Sequence, residues 1–323
     1  MNLINSTNTT TLNVGLGETE LWIMFVVFYL IGGILTSIGY VLTAIGIARN
    51  KKLRSRFFIV VLGLVLCRAF LSMQLVILGI YRVLRTVKLV SSRLSGAACN
   101  GIHFSVLFGF TLEITLLLIL VLDRALAIMA PTFYRLLSVK QAAFLCTSTY
   151  AIVLLLKVPF AFVGSGRIVA CVNSYSGPSE AFNAFTQHID LVLVILTLSI
   201  YLILLAFLKR KISRLRSQDA SGQERQLRRQ LSLMPTLRNM VLLHCGLSLV
   251  TRIMRTGAGL AKANSPLSLR LSAYAGLLMV VDLVVNWIAL VWGYRRVRYA
   301  VLPCCTNNTA EEMETANQKS ERV

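Results

Sequence analysis

Charged residues are scarce in this chain: they make up 14% of its 323 residues, with only 13 Asp and Glu against 33 Lys and Arg. Hydrophobic residues make up 56%, and the mean hydropathy is +0.72. A typical soluble domain has about 25% charged residues. The shortage of charge therefore excludes an ordinary soluble protein and indicates one that lies in a membrane.

The residues that enzymes commonly use are also few. The chain has only three histidines, dispersed over its length: His103, His188 and His244. It has no Gly-rich phosphate-binding loop, no H-E-x-x-H motif and no Cys/His set with metal-ligand spacing. Transporter-like repeats with broken helices are not evident either. We therefore predict that the protein is not an enzyme and needs no cofactor.

Seven apolar stretches of about 20 residues are present, each long enough to cross a bilayer. They cover residues 21–47, 57–81, 100–122, 141–163, 189–208, 239–261 and 271–294, and we number these spans one to seven. The sixth is the least apolar. Since lipid offers no hydrogen-bond partner to a free backbone amide, each span must be a helix. The sequence thus predicts an all-α membrane protein, a seven-transmembrane helix bundle with a short amphipathic eighth helix at about 295–303.

Basic residues indicate the orientation, because Lys and Arg mark cytoplasmic loops. The links between spans one and two and between spans five and six are strongly basic, although the outer link between spans two and three also has Arg82, Arg85, Lys88 and Arg93. We expect membrane lipid, and not nucleic acid, as the partner of this charge. The predicted domains are an extracellular N-terminus (1–20) with glycosylation sequons at Asn5 and Asn8, the bundle (21–303) and a disordered cytoplasmic tail (304–323). The predicted location is the plasma membrane.

The most informative stretch begins at Cys99. Asp123 and Arg124 follow after 24 residues, at the inner end of span three, and they are followed by Ala127, Ile128, Pro131 and Tyr134. This pattern resembles the third helix of rhodopsin-like (class A) G-protein-coupled receptors, which ends in D-R-Y-x-A-I-x-x-P-x-x-Y. Ala125 replaces the tyrosine. With further departures in spans two, six and seven, the chain also resembles the large nematode chemoreceptor families.

This resemblance implies a receptor that binds an extracellular small molecule or peptide and activates a heterotrimeric G protein. The switch residues that it implies are Asp123, Arg124, Tyr134, Tyr201 and Asn286. It implies a disulfide between Cys99 and Cys171. The adjacent juxtamembrane cysteines Cys304 and Cys305 are predicted palmitoylation sites. The ligand pocket is predicted to contain His103, Val106, Leu107, Phe110, Asp190, Arg252 and Arg255.

Span two differs from the resembled pattern, because Leu66 occupies the place of its characteristic aspartate. Glu113, Asp282 and Asn286 are expected to converge there with Leu66, as a candidate sodium or proton site, since a membrane carboxylate is by default a functional residue. Alternatively, one of the two carboxyl groups is protonated and hydrogen-bonded to its neighbour. Lys157 in span four is expected to extend to the membrane interface, with a ligand contact as the alternative.

The sequence is also compatible with two other functions. One is a seven-helix channel or transporter that uses Glu113 and Asp282 as an ion or proton path. The other is a receptor-like protein without G-protein coupling, which Ala125, Leu290 and the missing proline of span seven suggest. An amine anchored in the usual way is not expected, because Val106 stands where amine receptors have an aspartate.

Overall fold

A computed structural model describes residues 24–50, 53, 55–90, 93–161, 168–170, 180–216, 234–260 and 266–301. Several predicted features lie outside these residues: the 1–20 segment with Asn5 and Asn8, Cys171, the tail from 304, and Cys304 with Cys305. The side chains of His103 and Arg255 are likewise outside the description.

The described chain is almost entirely helical and forms the predicted seven-helix bundle. A π-helical stretch (Met24–Gly32) leads into α1, and the helices are α1 Gly33–Arg49, α2 Arg56–Thr86, α3 Gly96–Met129, α4 Pro131–Leu136, α5 Val139–Ala161, α6 Glu180–Arg216, α7 Met234–Leu260, α8 Pro266–Gly293 and α9 Arg295–Val301. Spans one to seven correspond to α1, α2, α3, α5, α6, α7 and α8. The short helices α4 and α9 lie at the inner ends of spans three and seven.

Six of these helices are long and apolar enough to cross a membrane, and span six is the exception. Its arginines and His244 lower its hydropathy, as the sequence indicated. Span six nevertheless packs along span seven and against span five. His244 is 1% exposed. The polar groups of span six are therefore accommodated by neighbouring helices, as membrane helices require of their polar residues.

Span three is the central helix, in contact with spans two, four and five. Its leucines at 112, 116, 117 and 120 are fully buried. At Gly109 an added Cβ would overlap the side chain of Leu71 from span two, so glycine here permits a close approach of the two helices. By contrast, Leu154, Leu155 and Leu156 of span four are 43%, 71% and 62% exposed, and they form part of the face that lipid covers.

A two-stranded antiparallel sheet lies beside the start of span three. The strands are β1 (Arg93–Ser95) and β2 (Ile168–Ala170), paired so that Arg93 opposes Ala170. Cys99 is disulfide-bonded. This register brings the chain immediately before Cys171 close to the Cys99 end of span three, but Cys171 is not among the described residues. The pairing of these two cysteines stays a prediction.

Short helices complete the inner end of the bundle. Pro131 is the first residue of α4, where its fixed φ suits a helix start and its missing N–H is not needed. After span seven, α9 packs against span one. Its Val297 is completely buried, and so is most of the preceding Tyr294. The predicted eighth helix is thus present, with its apolar face turned to the bundle.

Candidate functional site

The inner end of span three has a compact network of charged groups, which we call the inner switch network: Arg56, Asp123, Arg124 and Tyr134. Arg124 donates to Asp123 Oδ2 through Nε at 3.1 Å and through Nη2. Arg56 Nε donates to the other carboxylate oxygen, Oδ1, at 2.8 Å. Asp123 and Arg124 are 4% and 5% exposed. One buried carboxylate therefore interacts with two guanidinium groups.

Tyr134 closes this network from α4. Its hydroxyl donates to Asp123 Oδ2 at 3.1 Å and accepts from Arg124 Nη2 at 2.6 Å. Burial, together with the nearby Asp123 charge and against the opposing effect of Arg124, raises the pKa of Tyr134 to about 12. The hydroxyl therefore keeps its proton at physiological pH and remains a donor. The structure brings the predicted residues Asp123, Arg124 and Tyr134 together.

Aromatic rings hold the cations of the network in place. The Arg124 guanidinium lies 4.3 Å from the ring centroid of Phe57, and that of Arg56 lies 5.2 Å from the ring centroid of Tyr134. Cation–π contacts of this kind are worth about 0.5–2 kcal/mol, and more where water is excluded. Sequence reasoning treated Arg56 only as part of a basic loop. Its position as the first residue of span two was the available signal for a specific role.

Two buried tyrosines lie near the network. Tyr201 of span five is fully buried, Tyr294 follows span seven, and neither hydroxyl has a hydrogen-bond partner among the described residues. Tyr294 interacts electrostatically with Arg124 and with Tyr201. Leu290, whose lack of a hydroxyl suggested lost coupling, lies one turn before Tyr294, which has a hydroxyl and was not among the predicted residues. Asn286, the fifth predicted switch residue, belongs instead to a cluster deeper in the bundle.

This second cluster, the interior ionic cluster, consists of Arg68, Glu113, His244, Asp282 and Asn286. Arg68 Nε donates to Glu113 Oε1 at 2.6 Å, and both side chains are completely buried. His244 Nδ1 is 2.9 Å from Asp282 Oδ2 and 3.3 Å from Glu113 Oε1. Asn286 Nδ2 donates to Asp282 Oδ1 at 2.7 Å. The cluster joins spans two, three, six and seven through side chains alone.

The predicted convergence of Leu66 with these residues is wrong. Leu66 is 50% exposed, whereas Arg68 is fully buried. Residues two apart on an α-helix point in nearly opposite directions, because each residue turns the helix by about 100°. Span two therefore directs Arg68 inward and Leu66 toward lipid. The sequence signal was present, since an arginine in the middle of a membrane span requires a buried partner.

The interior ionic cluster contains groups that could hold a small ion or water. One ligand atom each from Glu113, His244 and Asp282 lie within 4.8 Å of one another. Arg68 Nη1 and Nη2, Glu113 Oε2 and Asn286 Oδ1 have no hydrogen-bond partner among the described residues. The two oxygens could coordinate a cation, but the positively charged guanidinium nitrogens would repel it. Ordered water could donate hydrogen bonds to the oxygens and accept them from the nitrogens. The sodium or proton site stays a prediction.

A third group, the outer charged cluster, consists of Thr111, Lys157, Asp190 and Arg252. Thr111 Oγ1 donates to Asp190 Oδ1 at 2.6 Å, and Arg252 Nη2 lies 3.2 Å from Asp190 Oδ2. Lys157 interacts electrostatically with both Asp190 and Arg252. Of the predicted pocket residues, Asp190 and Arg252 are thus in contact. Val106 is buried, and Leu107 and Phe110 are half-buried on the preceding turns of span three.

The expected extension of Lys157 to the membrane interface is wrong, because Lys157 is only 4% exposed. It shares a helix face with Val153, which is 5% exposed and lies one turn earlier, while Leu154, Leu155 and Leu156 occupy the lipid face. The helical phase of span four therefore directs the ammonium group of Lys157 into the bundle. The alternative, a ligand contact, stays a prediction.

The seven-helix bundle thus has an Asp-Arg network at the carboxyl-terminal end of span three and two further polar clusters between its helices. The chain matches the family described as serpentine type 7TM GPCR chemoreceptor Srsx over residues 33–304. Because this match covers most of the chain, the protein belongs to that family of chemoreceptors, which is a receptor family and not an enzyme family. A comparison with curated proteins finds no match.

Proposed function

We propose that the protein is a plasma-membrane chemoreceptor that binds an extracellular ligand in its outer half and activates a heterotrimeric G protein at its inner face. Membership of the chemoreceptor family supports the general function. The observation that carries the coupling proposal is the contact of Arg124 with both Asp123 and Tyr134. The N-terminus is then extracellular, and the basic inner loops and α9 face the G protein and the inner leaflet.

The proposed switch has two states. In the state described here, Asp123 and Tyr134 hold Arg124 inside the bundle. When Arg124 leaves Asp123, its guanidinium becomes available to the G protein and to the hydroxyls of Tyr201 and Tyr294. A ligand shifts this equilibrium only if it binds one state better than the other. An ion pair at the membrane boundary suits such a switch, since water can replace each partner.

The test uses basal activity, so it needs no ligand. Asp123→Asn removes the charge that holds Arg124, and we expect basal GTPγS binding in receptor membranes, assayed with a panel of G proteins, to rise about 5- to 20-fold, as the loss of a charge-assisted hydrogen bond implies. The double variant with Arg124→Ala should return to background. Arg135→Ala, which alters an exposed arginine nearby, should behave like wild type.

Absence of any response to Asp123→Asn from every G-protein class, at matched surface expression, would contradict the proposal. An ionic current that disappears in Glu113→Gln would then favour the channel or transporter alternative. A silent receptor with neither response would correspond to the alternative without coupling. The three functions therefore give different results in one set of cells.

We also propose that the interior ionic cluster influences the same equilibrium through sodium or a proton. Glu113 Oε2 and Asn286 Oδ1 support this proposal because they are buried acceptors to which no described residue donates a hydrogen bond. Basal activity of Asp123→Asn should change when sodium chloride is replaced by choline chloride at constant ionic strength. If activity is indifferent to sodium and Glu113→Gln behaves like wild type, the cation proposal is wrong.

A further inference from the structure

The chain segments that meet where span seven ends have basic residues and no acidic ones. The sequence has no Asp or Glu in residues 21–112, which include span one and the basic link after it, or in residues 283–310, which include α9. The short helix α9 has three arginines: Arg295, Arg296 and Arg298. Because α9 packs against span one, two segments of the same charge lie side by side. This end of the bundle therefore favours an anionic partner.

Two aromatic rings hold one of these cations at the surface. The guanidinium of Arg298 lies 5.6 Å from the ring centroid of Trp292, at the end of span seven, and 5.6 Å from that of Tyr299. Tyr294 and Val297 are buried and anchor α9 on the bundle. Arg298 and Tyr299 are only half-buried. The cation is thus fixed in position by cation–π contacts, and it remains accessible to a group outside the bundle.

Exposed apolar side chains lie next to this cation. Trp292 is 63% exposed, and Ile288, one turn earlier on span seven, is exposed as well. Span one, which contacts both span seven and α9, exposes Leu42 and Ile45 in its last two turns. Tryptophan at the end of a membrane span is typical of the membrane–water interface. Apolar surface and a fixed cation are therefore adjacent at this interface.

We propose that the surface formed by Trp292, Arg298 and Tyr299, which we call the α9 lipid site, binds an anionic phospholipid. The phosphate group of the lipid interacts with the guanidinium of Arg298, whose paired N–H donors match phosphate oxygens. Its acyl chains lie along Trp292 and the exposed apolar residues of span seven. The other arginines of α9 favour a lipid with a net negative charge over a zwitterionic one.

A phospholipid fits this surface better than a soluble anion or an acidic protein. A soluble phosphate has no apolar group to cover Trp292 and Ile288. A soluble protein does not reach the lipid face of a membrane span. In the orientation of the proposed function, α9 lies at the cytoplasmic leaflet, where anionic lipids are concentrated. The inference rests on the proposed function for the choice of leaflet and not for the binding itself.

The experiment uses Trp292 as the reporter. Full-length receptor is placed in phosphatidylcholine nanodiscs that contain a small fraction of brominated phosphatidylserine or, in the control, the same fraction of brominated phosphatidylcholine. Bromine on an acyl chain quenches the fluorescence of a tryptophan that it contacts. The difference between wild type and Trp292→Phe separates the quenching of Trp292 from that of Trp22 and Trp287. We expect brominated phosphatidylserine to occupy the site with about a fivefold or greater preference, which salt should weaken.

Variants locate the site. Arg298→Gln should reduce the preference for phosphatidylserine by about fivefold, because one basic residue near the membrane surface is lost. Arg298→Lys keeps the charge and should keep most of the preference, so it separates the loss of charge from a change in the packing of α9. Lys140→Gln, which alters an exposed lysine at the start of span four, should behave like wild type. Thermal unfolding checks that each variant is folded.

Three results would overturn the inference. The first is equal quenching of Trp292 by the two brominated lipids, and the second is a preference that persists unchanged in Arg298→Gln. The third is displacement of brominated phosphatidylserine by water-soluble glycerophosphoserine, which would identify a site for soluble phosphate. The proposed function has a separate readout, because the basal activity of Asp123→Asn does not involve the α9 lipid site. Raised basal activity without lipid preference would refute only this inference.

Discussion

Arg68 of span two places a guanidinium group in the interior of this receptor. It is the largest fully buried side chain of the described chain, and its ion pair with Glu113 is completely shielded from solvent. In a shielded environment, removing one partner of such a pair is more harmful than removing both, because a lone buried charge has no compensation. The ion pair with Arg68 thus reduces the free-energy cost of burying the Glu113 charge in the middle of a membrane helix.

The variant Arg68→Met should consequently destabilise the protein by about 3–5 kcal/mol. Glu113 would lose its main partner and, among the described residues, keep the 3.3 Å approach of His244 as its remaining ion-pair contact. Thermal unfolding of purified receptor in detergent measures the loss. The double variant Arg68→Met/Glu113→Gln should recover much of the stability. A double variant no more stable than Arg68→Met would contradict the assigned pairing.

At the scale of helices, the beginning of span two contributes to the environment of the proposed switch. Arg56 is the first residue of that helix, and its guanidinium occupies the Asp123 oxygen that Arg124 leaves free. Each guanidinium group thus binds a different oxygen of the same carboxylate. Span two therefore contributes a contact to Asp123, although the predicted switch residues Asp123, Arg124 and Tyr134 belong to span three and α4.

From this arrangement we expect Arg56→Gln to lower basal activity. With Arg56 neutralised, the whole Asp123 charge acts on Arg124, and the inactive state gains about 0.5–1 kcal/mol, or roughly two- to fivefold in basal nucleotide exchange. The assay is GTPγS binding at matched surface expression. Arg49→Gln, an exposed arginine at the end of span one, serves as the control. An increase in the basal activity of Arg56→Gln would contradict this prediction. It would show that Arg56 supports the Asp123–Arg124 contact and does not compete with it.

At the scale of the whole molecule, the bundle is held together by polar groups that join distant helices. Span six is the clearest case, because its composition alone does not make it a membrane helix. His244 contacts Asp282 of span seven and Glu113 of span three, and Arg252 contacts Asp190 of span five. In a bilayer, such contacts and close packing replace the hydrophobic driving force between helices. Movements of span six therefore have to exchange specific polar partners.

Cys99, at the start of span three, forms a disulfide bond. We predict that Cys99→Ser and Cys171→Ser reduce surface expression and stability equally, by about 2–4 kcal/mol, as for other disulfides. The double variant should add nothing. Flow cytometry of surface receptor and thermal unfolding measure the two effects. Cys146→Ala, at a buried free cysteine, should have a smaller effect. A clear difference between the two single variants would contradict their pairing.

Much of the helical architecture could be predicted from the amino-acid sequence. Seven apolar stretches predicted seven helices, since lipid permits no unpaired backbone. The spacing from Cys99 singled out Asp123, Arg124 and Tyr134, which the structure brings into contact, while their role as a switch stays a prediction. The polar residues of span six also explained in advance why it is the least apolar helix. The number and kind of helices could be predicted because length and hydropathy are local properties of the sequence.

Partner choice was decided only by the tertiary structure. Arg68 meets Glu113 at a separation of 45 residues, and His244 meets Asp282 at a separation of 38. Whether a residue such as Leu66, Arg68 or Lys157 faces lipid or its neighbours depends on the rotation of each helix about its axis. Packing against other helices sets that rotation, and nearly uniform apolar spans contain little information about it. The sequence by itself therefore determined the number and kind of helices, and the packed bundle determined which buried charges meet.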